Sequence, residues 1–357
     1  MARTFAYVGC RTTRERHARG TGIAVYEVSP AGAWQLQQTL EPLVNPTFLA
    51  LDRRRGALYT VHGDGDAVSA FRIEPQTGRL SVLNSQPCAG RNPVHLDFTR
   101  DGNALAIAGY ASGTATLIPL AQDGSLQRAQ APVTFNGEPG SHRVEQVSSH
   151  PHYIARYVTR RFDTDWHIVP DKGLDTVFAV RWLEGGRAIV QAARTREGAG
   201  PRHAAFHPGL PLVYVVNELD STVTTWSFDP VTGELEALHT VSTIPPNHHA
   251  FTRAAGIVVS SDGRGLYVTN RGHDTIATFQ IDLSTGLPRD VHWVSTGGHC
   301  PRFLCIAPDA RTLYVANENS HTIAQFELDA HTHQPVATGR LVKTGSPVSI
   351  VFGITED

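Results

Sequence analysis

Leu212-Val213-Tyr214-Val215-Val216-Asn217-Glu218 is followed by Asp220-Ser221-Thr222-Val223 and then by Trp226. Alone, this is an apolar strand, a polar turn and a second strand ending on an aromatic. It recurs. Leu266-Tyr267-Val268-Thr269-Asn270-Arg271 leads into Asp274-Thr275-Ile276 and Phe279, and Leu313-Tyr314-Val315-Ala316-Asn317-Glu318 leads into His321-Thr322-Ile323 and Phe326. Weaker copies are Ala6-Tyr7-Val8-Gly9-Cys10, Leu58-Tyr59-Thr60-Val61-His62, Leu105-Ala106-Ile107-Ala108-Gly109 and His167-Ile168-Val169-Pro170-Asp171. With Tyr7, Tyr59, Ala106, His167, Tyr214, Tyr267 and Tyr314 taken as equivalent, the steps are 52, 47, 61, 47, 53 and 47 residues.

Self-similarity at this period means a propeller or an array of supersecondary units. The content of each unit decides between them. Glycine-containing turns such as Asp229-Pro230-Val231-Thr232-Gly233, Asp282-Leu283-Ser284-Thr285-Gly286 and Pro75-Gln76-Thr77-Gly78 supply the positive φ of a hairpin and lead into a further strand. Sustained helical periodicity is almost absent. Seven such units predict an all-β, seven-bladed β-propeller, one domain over residues 1–357. A ring of blades leaves two open edges unless its ends pair. Val348-Ser349-Ile350-Val351-Phe352 has no unit of its own and is expected to close the ring by pairing into the N-terminal blade. The 61-residue step points to extra residues between the third and fourth blades, around Ser148 to Asp165, as a longer hairpin at Arg160-Arg161 or a lid over one mouth.

Hydrophobic residues at 41% and charged residues at 18% make a globular chain, and 357 residues suffice for a large core. A net charge of −2 with no basic stripe argues against nucleic acid. The basic residues are nearly all arginine, with Lys172 and Lys343 the only lysines. Cys10, Cys88, Cys300 and Cys305 have no framework or CxxC spacing and read as free thiols of a reducing compartment. Met1 runs straight into a strand-like segment and no apolar run reaches membrane-spanning length, so a cytoplasmic protein without membrane contact is expected, monomeric or a weak homo-oligomer.

In a propeller, equivalent positions of successive blades converge at one mouth of the channel. The position after the Asn of each repeat gives Arg11, Gly63, Tyr110, Asp171, Glu218, Arg271 and Glu318. Blade-opening turns add His95, His152, Arg202, His203 and Arg302. A ring of such charges is poorly explained as packing, because charges are seldom buried unpaired. A structural reading of single members stays open: Glu218 with Arg271 as an ion pair between blades, Arg202 as a strut, His203 and His207 as turn-holding residues. No HExxH or CxxC spacing suggests metal, and His150-Pro151-His152 alone is a weak ligand signal. No dinucleotide fingerprint and no GxSxG appear, so no cofactor is expected.

Gly200-Pro201-Arg202-His203, Phe206-His207-Pro208, Tyr214 to Leu219, Tyr267-Val268-Thr269-Asn270-Arg271-Gly272-His273-Asp274, Pro301-Arg302-Phe303 and Gly345-Ser346-Pro347-Val348 carry a resemblance over essentially the whole chain. Asn45-Pro46 and Asn92-Pro93-Val94-His95 match its blade-opening turns. The chain resembles the lactonase-type seven-bladed propellers, the family of bacterial 6-phosphogluconolactonases that also includes fungal carboxy-muconate lactonizing enzymes. It departs from them at Gly256, where members usually carry a glutamate, and in the longer stretch after His152.

The resemblance implies a metal-independent lactone hydrolase acting on a small anionic substrate, with 6-phospho-D-glucono-1,5-lactone the best candidate. Hydrolysis needs a base, donors for the oxyanion and cations for the acidic tail. Catalytic roles then fall to His152, Arg202, Glu218 and Arg271, with Glu218 or His152 as the base. Substrate binding falls to His95, Asp171, Arg302 and Glu318. The same residues would suit a muconate cycloisomerase or a muconolactone-type lactonase. A non-catalytic propeller that binds a protein partner would show apolar loops, whereas the loops here are mainly polar.

Overall fold

The repeated strand-turn-strand copies become the two middle strands of successive sheets. Leu212–Asn217 pairs antiparallel with Pro201–Phe206 on one side and with Thr222–Phe228 on the other, and Leu235–Ser242 completes the sheet. The computed structural model describes residues 3–355, and within them this unit appears seven times as a four-stranded sheet. We number the sheets as blades 1 to 7. Their first strands, Pro347–Thr355 (blade 1), Pro46–Asp52, Pro93–Phe98, Ala155–Val158, Pro201–Phe206, Arg253–Val259 and Pro301–Ile306 (blade 7), touch one another in that order and wall a central channel.

The ring closes as the sequence predicts. Pro347–Thr355 pairs antiparallel with Arg3–Cys10, bringing Ile350 opposite Val8 and Phe352 opposite Ala6. Blade 1 is therefore built from both ends of the chain, with Pro347–Thr355 as its innermost strand, paired on one side only with Arg3–Cys10.

Seven apolar clusters hold the ring, each shared by two neighbouring blades. Between blades 4 and 5, Tyr157, Trp166 and Trp226 are essentially inaccessible. Burying each such side chain stabilises by about 1.5–3 kcal/mol, or more for the larger rings.

The repeated tyrosine acts as a rivet. Tyr59 Oη donates to Gly124 O at 2.9 Å, Tyr214 Oη to Gly286 O at 2.7 Å and Tyr267 Oη to His333 O at 2.8 Å, each reaching the outer hairpin of the next blade. In the matching outer hairpin of blade 5 a glycine is needed twice over. Gly233 has φ 80°, and a Cβ there would stand 2.5 Å from the Trp166 ring of the preceding blade.

The long step between blades 3 and 4 resolves into two parts. Arg160-Arg161 lie in the hairpin between Ala155–Val158 and Asp163–Asp171, at the mouth opposite the converging charges. The hairpin reading holds there and the lid reading does not. The segment that lies over the charged mouth comes earlier. After the short outer strand Val133–Thr134, residues 135–150 run as a strap without regular structure.

Candidate active site

A backbone bond repeated in six blades fixes the charged mouth. The amide that follows the second strand donates to the carbonyl just before the blade-opening proline: Arg11 to Ser346 (3.0 Å), Gly63 to Asn45 (2.9 Å), Tyr110 to Asn92 (3.1 Å), Lys172 to His150 (3.0 Å), Glu218 to Gly200 (2.7 Å) and Glu318 to Cys300 (3.0 Å). The side chains of these residues therefore start from equivalent places around the channel.

This register corrects the sequence expectation in blade 4. Lys172, not Asp171, is the counterpart of Glu218, and Ile168 rather than His167 is the counterpart of Tyr214. Asp171 occupies the place of Asn217 and is wholly buried. Its carboxylate accepts from the amides of His150 (2.7 Å), Gly173 (2.9 Å) and Leu174 (3.1 Å) and from the Ser149 hydroxyl (2.5 Å). With its oxygens committed to the turn, Asp171 is a structural residue and not a substrate ligand.

Glu218 is the hub. Its carboxylate lies 2.9 Å from Lys172 Nζ, 2.9 Å from Arg202 Nε and 3.1 Å from Arg271 Nη2, contributions from blades 4, 5 and 6. Arg202 Nη1 also donates to Ala255 O at 2.7 Å, and Arg271 Nη2 lies 3.3 Å from Ala254 O. Both guanidiniums thus strut blade 6 while they hold Glu218. Lys172 makes a second ion pair with Glu145 of the strap, and Arg253 Nη2 donates to the same carboxylate at 3.0 Å.

Across the channel the pairing is looser. Glu318 lies 3.8 Å from Arg302 Nε and 3.9 Å from Arg11 Nε, while Arg11 Nη1 bonds Asp64 at 2.9 Å. Arg16 closes on the same Asp64 carboxylate. Among the described residues the Arg302 guanidinium donates no hydrogen bond within the protein, so its fork of N–H groups is unspent. Glu318 serves as its counter-ion, and its own charge disfavours direct contact with an anion.

Beneath the charges the next residue of each first strand forms a second layer: Phe48, His95, Tyr153, His203, Gly256, Phe303 and Ser349. Ring centroids are 3.9 Å apart for Phe48–His95 and for His95–Tyr153, and 5.0 Å for Tyr153–His203. His95 Nδ1 accepts the Ile154 amide at 3.3 Å, placing His95 in this floor rather than among the cations. Gly256 leaves blade 6 without a side chain in the layer. An apolar recess lined by Gly256 to Val259 and Phe303 to Pro308 opens there, toward the opposite mouth.

His152 stands between the layers. Its ring centroid is 5.3 Å from Tyr110 and 5.5 Å from His203, and its buried Nδ1 has no partner. Burial, reinforced by Arg202, holds its pKa well below that of free imidazole, so it is uncharged at neutral pH. His203 is held down the same way, again by burial first, and His95 falls to about 3 through burial. Burial alone would raise the Glu218 pKa, but Arg271, Lys172 and Arg202 outweigh it and hold the carboxylate well below its usual range. Glu218 is therefore a permanent anion with a poor appetite for protons.

Of the eight residues singled out from the sequence, His152, Arg202, Glu218 and Arg271 converge, Arg302 and Glu318 face them, His95 floors the site and Asp171 leaves it. Lys172, Glu145 and Arg253 are additions. Lys172 was legible as a rare lysine beside the repeat position. Glu145 belongs to no repeat and carries no signal in one sequence. His207 holds its turn, its Nδ1 accepting from the Gly209 and Leu210 amides at 3.1 and 2.9 Å. His150 stacks on Tyr110 at 4.5 Å and bonds its carbonyl, pointing away from a shared ion with His152. Among the described residues, no three His, Cys, Asp or Glu side chains are grouped as a metal site requires.

Comparison with known proteins places this geometry. The family model described as lactonase, 7-bladed beta-propeller, matches residues 5–352. A 6-phosphogluconolactonase of Bacillus subtilis is 32% identical over 311 residues, covering 86% of each chain. A 6-phosphogluconolactonase of Formosa agariphila is 30% identical over 304 residues, 81% of this chain and 83% of the relative. The solved structure of a periplasmic gluconolactonase from Pseudomonas aeruginosa superposes with a TM-score of 0.88 at 27% identity, over 100% of both chains.

Proposed function

The chain belongs to the family of seven-bladed β-propeller lactonases, and from that premise we propose that it hydrolyses a phosphorylated sugar lactone, 6-phospho-D-glucono-1,5-lactone, without a metal ion. The observation that carries this reading is an uncharged, buried His152 beside a cation cluster organised on Glu218. A lactone carbonyl needs little more than a base for water and positive donors for the oxyanion.

In this reading His152 takes a proton from water as the water oxygen bonds the lactone carbonyl carbon. The carbonyl oxygen becomes an oxyanion facing the channel guanidiniums. The ring C–O bond then breaks, and the imidazolium returns its proton to the leaving ring oxygen. A positioned general base contributes roughly 10²–10⁴-fold and an oxyanion donor roughly 10²–10³-fold. Glu218 is the anchor that fixes Lys172, Arg202 and Arg271 at short range. Arg302, with its donors unspent, holds the phosphate as a planar two-bond partner.

The muconate alternative would need an acid to protonate carbon. His152, neutral at neutral pH, has no acidic imidazolium proton to deliver and Glu218 is held ionised, so the site favours a base. An interaction module would not require charges turned into a channel. We also propose a cytoplasmic location, which four unpaired cysteines suit.

The test is loss of 6-phosphogluconolactone in mildly acidic buffer, where spontaneous hydrolysis is slow, with glucono-1,5-lactone in parallel. The phosphorylated lactone should be consumed with a kcat/KM at least roughly ten-fold higher. Arg302→Gln should erase that preference. Equal rates on both lactones would remove the phosphate from the reading.

A further inference from the structure

Among the described residues four cations, Lys172, Arg202, Arg253 and Arg271, face two carboxylates, Glu218 and Glu145. The two carboxylates differ in kind. Glu218 is 7% exposed, comes from the blade framework and is gripped by three cations. Glu145 is 30% exposed and comes from the strap. It is the most exposed member of the cluster.

The strap is pinned on either side of Glu145 and not through it. Gln146 is buried, and its Nε2 donates to Lys172 O at 2.8 Å and to Asp175 Oδ1 at 2.7 Å. Gly140 N donates to Gly173 O at 2.9 Å. At Ser148 the strap passes so close to Gly173 that a Cβ there would stand 1.8 Å from the Ser148 carbonyl oxygen. Between these pins the tip residues Arg143 and Val144 are exposed. The Glu145 carboxylate reaches inward from this tip to Lys172 Nζ and to Arg253 Nη2, which lies at the start of blade 6.

We propose that Lys172 and Arg253 form an outer anion subsite of the channel and that Glu145 is its internal stand-in ligand, displaced when a carboxylate or phosphate group of the substrate or product arrives. This rests on the reading of the channel as a site for an anionic lactone. An incoming anion replaces one carboxylate by another on the same two cations, so no buried charge is left unpaired during the exchange. A partly exposed pair is also the cheaper one to open, because such pairs contribute little net stability. The subsite suits the second charged end of a ligand whose phosphate is held by Arg302. The hydrolysis product, with a new carboxylate besides its phosphate, has two such ends.

Competition by an internal ligand lowers apparent affinity by the fraction of time the site is open. Glu145→Gln should therefore tighten binding of inorganic phosphate and of 6-phosphogluconate, measured by titration calorimetry on the full chain, by roughly ten-fold. Adding Arg253→Gln in the same chain should cancel the gain. Lactone turnover by the wild-type protein is measured alongside. Tightening without turnover would keep the subsite and overturn the hydrolase reading. Turnover with unchanged or weaker anion binding in Glu145→Gln would overturn the subsite. Glu145→Asp, which shortens the carboxylate but keeps its charge, should tighten binding by less than Glu145→Gln. Equal tightening by both would show a general loosening of the strap and overturn the stand-in role.

Discussion

Lys172 Nζ lies 2.9 Å from Glu218 Oε1, although 46 residues and a blade boundary separate the two. The contact sets the character of the mouth. Glu218, so placed, is spent on holding cations, and in the hydrolysis we propose the proton chemistry is assigned to the uncharged His152.

Glu218→Gln tests the anchor role. It would leave Lys172, Arg202 and Arg271 facing one another around a neutral amide. Breaking one partner of a buried ion cluster costs about 3–5 kcal/mol. The expected result is a clear fall in the urea midpoint together with lost turnover. Lost turnover at unchanged stability would instead mark Glu218 as the base.

The pH dependence of kcat/KM follows from the depressed pKa of His152. Because the imidazole stays neutral well below pH 6.5, the rate, corrected for spontaneous hydrolysis, should show no limb centred near 6.5. A fall with an apparent pKa close to that of free imidazole would contradict the assignment.

Stability should follow pH with a definite sign. His95, His152, His203 and His167 all have pKa values lowered by burial, to about 3 for His95 and about 4 for His167. In the unfolded chain they protonate near 6.5, so below that pH the unfolded state binds protons that the native state refuses. Their contribution is whole above about pH 6.5 and is lost as pH falls toward the folded values. At pH 5.5 each should cost about 1.4 kcal/mol relative to pH 7.5. Urea unfolding at the two pH values checks this, and His95→Gln should shrink the difference by its own share of about 1.4 kcal/mol.

Asp171→Ala separates structure from binding. It removes the acceptor of three amides and a hydroxyl, each costing about 1–3 kcal/mol if left buried and unpaired. Folded yield and melting temperature should drop sharply, while the fraction that folds should keep its KM. A raised KM at unchanged stability would return Asp171 to the binding site.

The fold was legible because the copies around Tyr214, Tyr267 and Tyr314 are close, and because Val348 to Phe352 had no partner within its own unit. Placing those copies and the blade-opening turns in a ring brings six of the eight singled-out residues, His152, Arg202, Glu218, Arg271, Arg302 and Glu318, to one mouth. The misreading at Asp171 has a physical cause. Blade 4 lacks the tyrosine rivet, and Asp171 does the turn-holding work of an asparagine, so the copy slid by one residue and hid Lys172. Glu145 was beyond reach because its position depends on the path of an irregular strap, which no periodicity encodes.

The most direct measurement is the rate of 6-phosphogluconolactone loss at pH 6.0 with the wild-type protein and with His152→Ala. The expected result is rapid consumption by the wild type and a fall in kcat of roughly 10²–10⁴-fold in the variant, with melting temperature and anion affinity retained. Full turnover by His152→Ala would contradict a neutral histidine base, and no acceleration by the wild type would contradict the hydrolysis of this lactone itself.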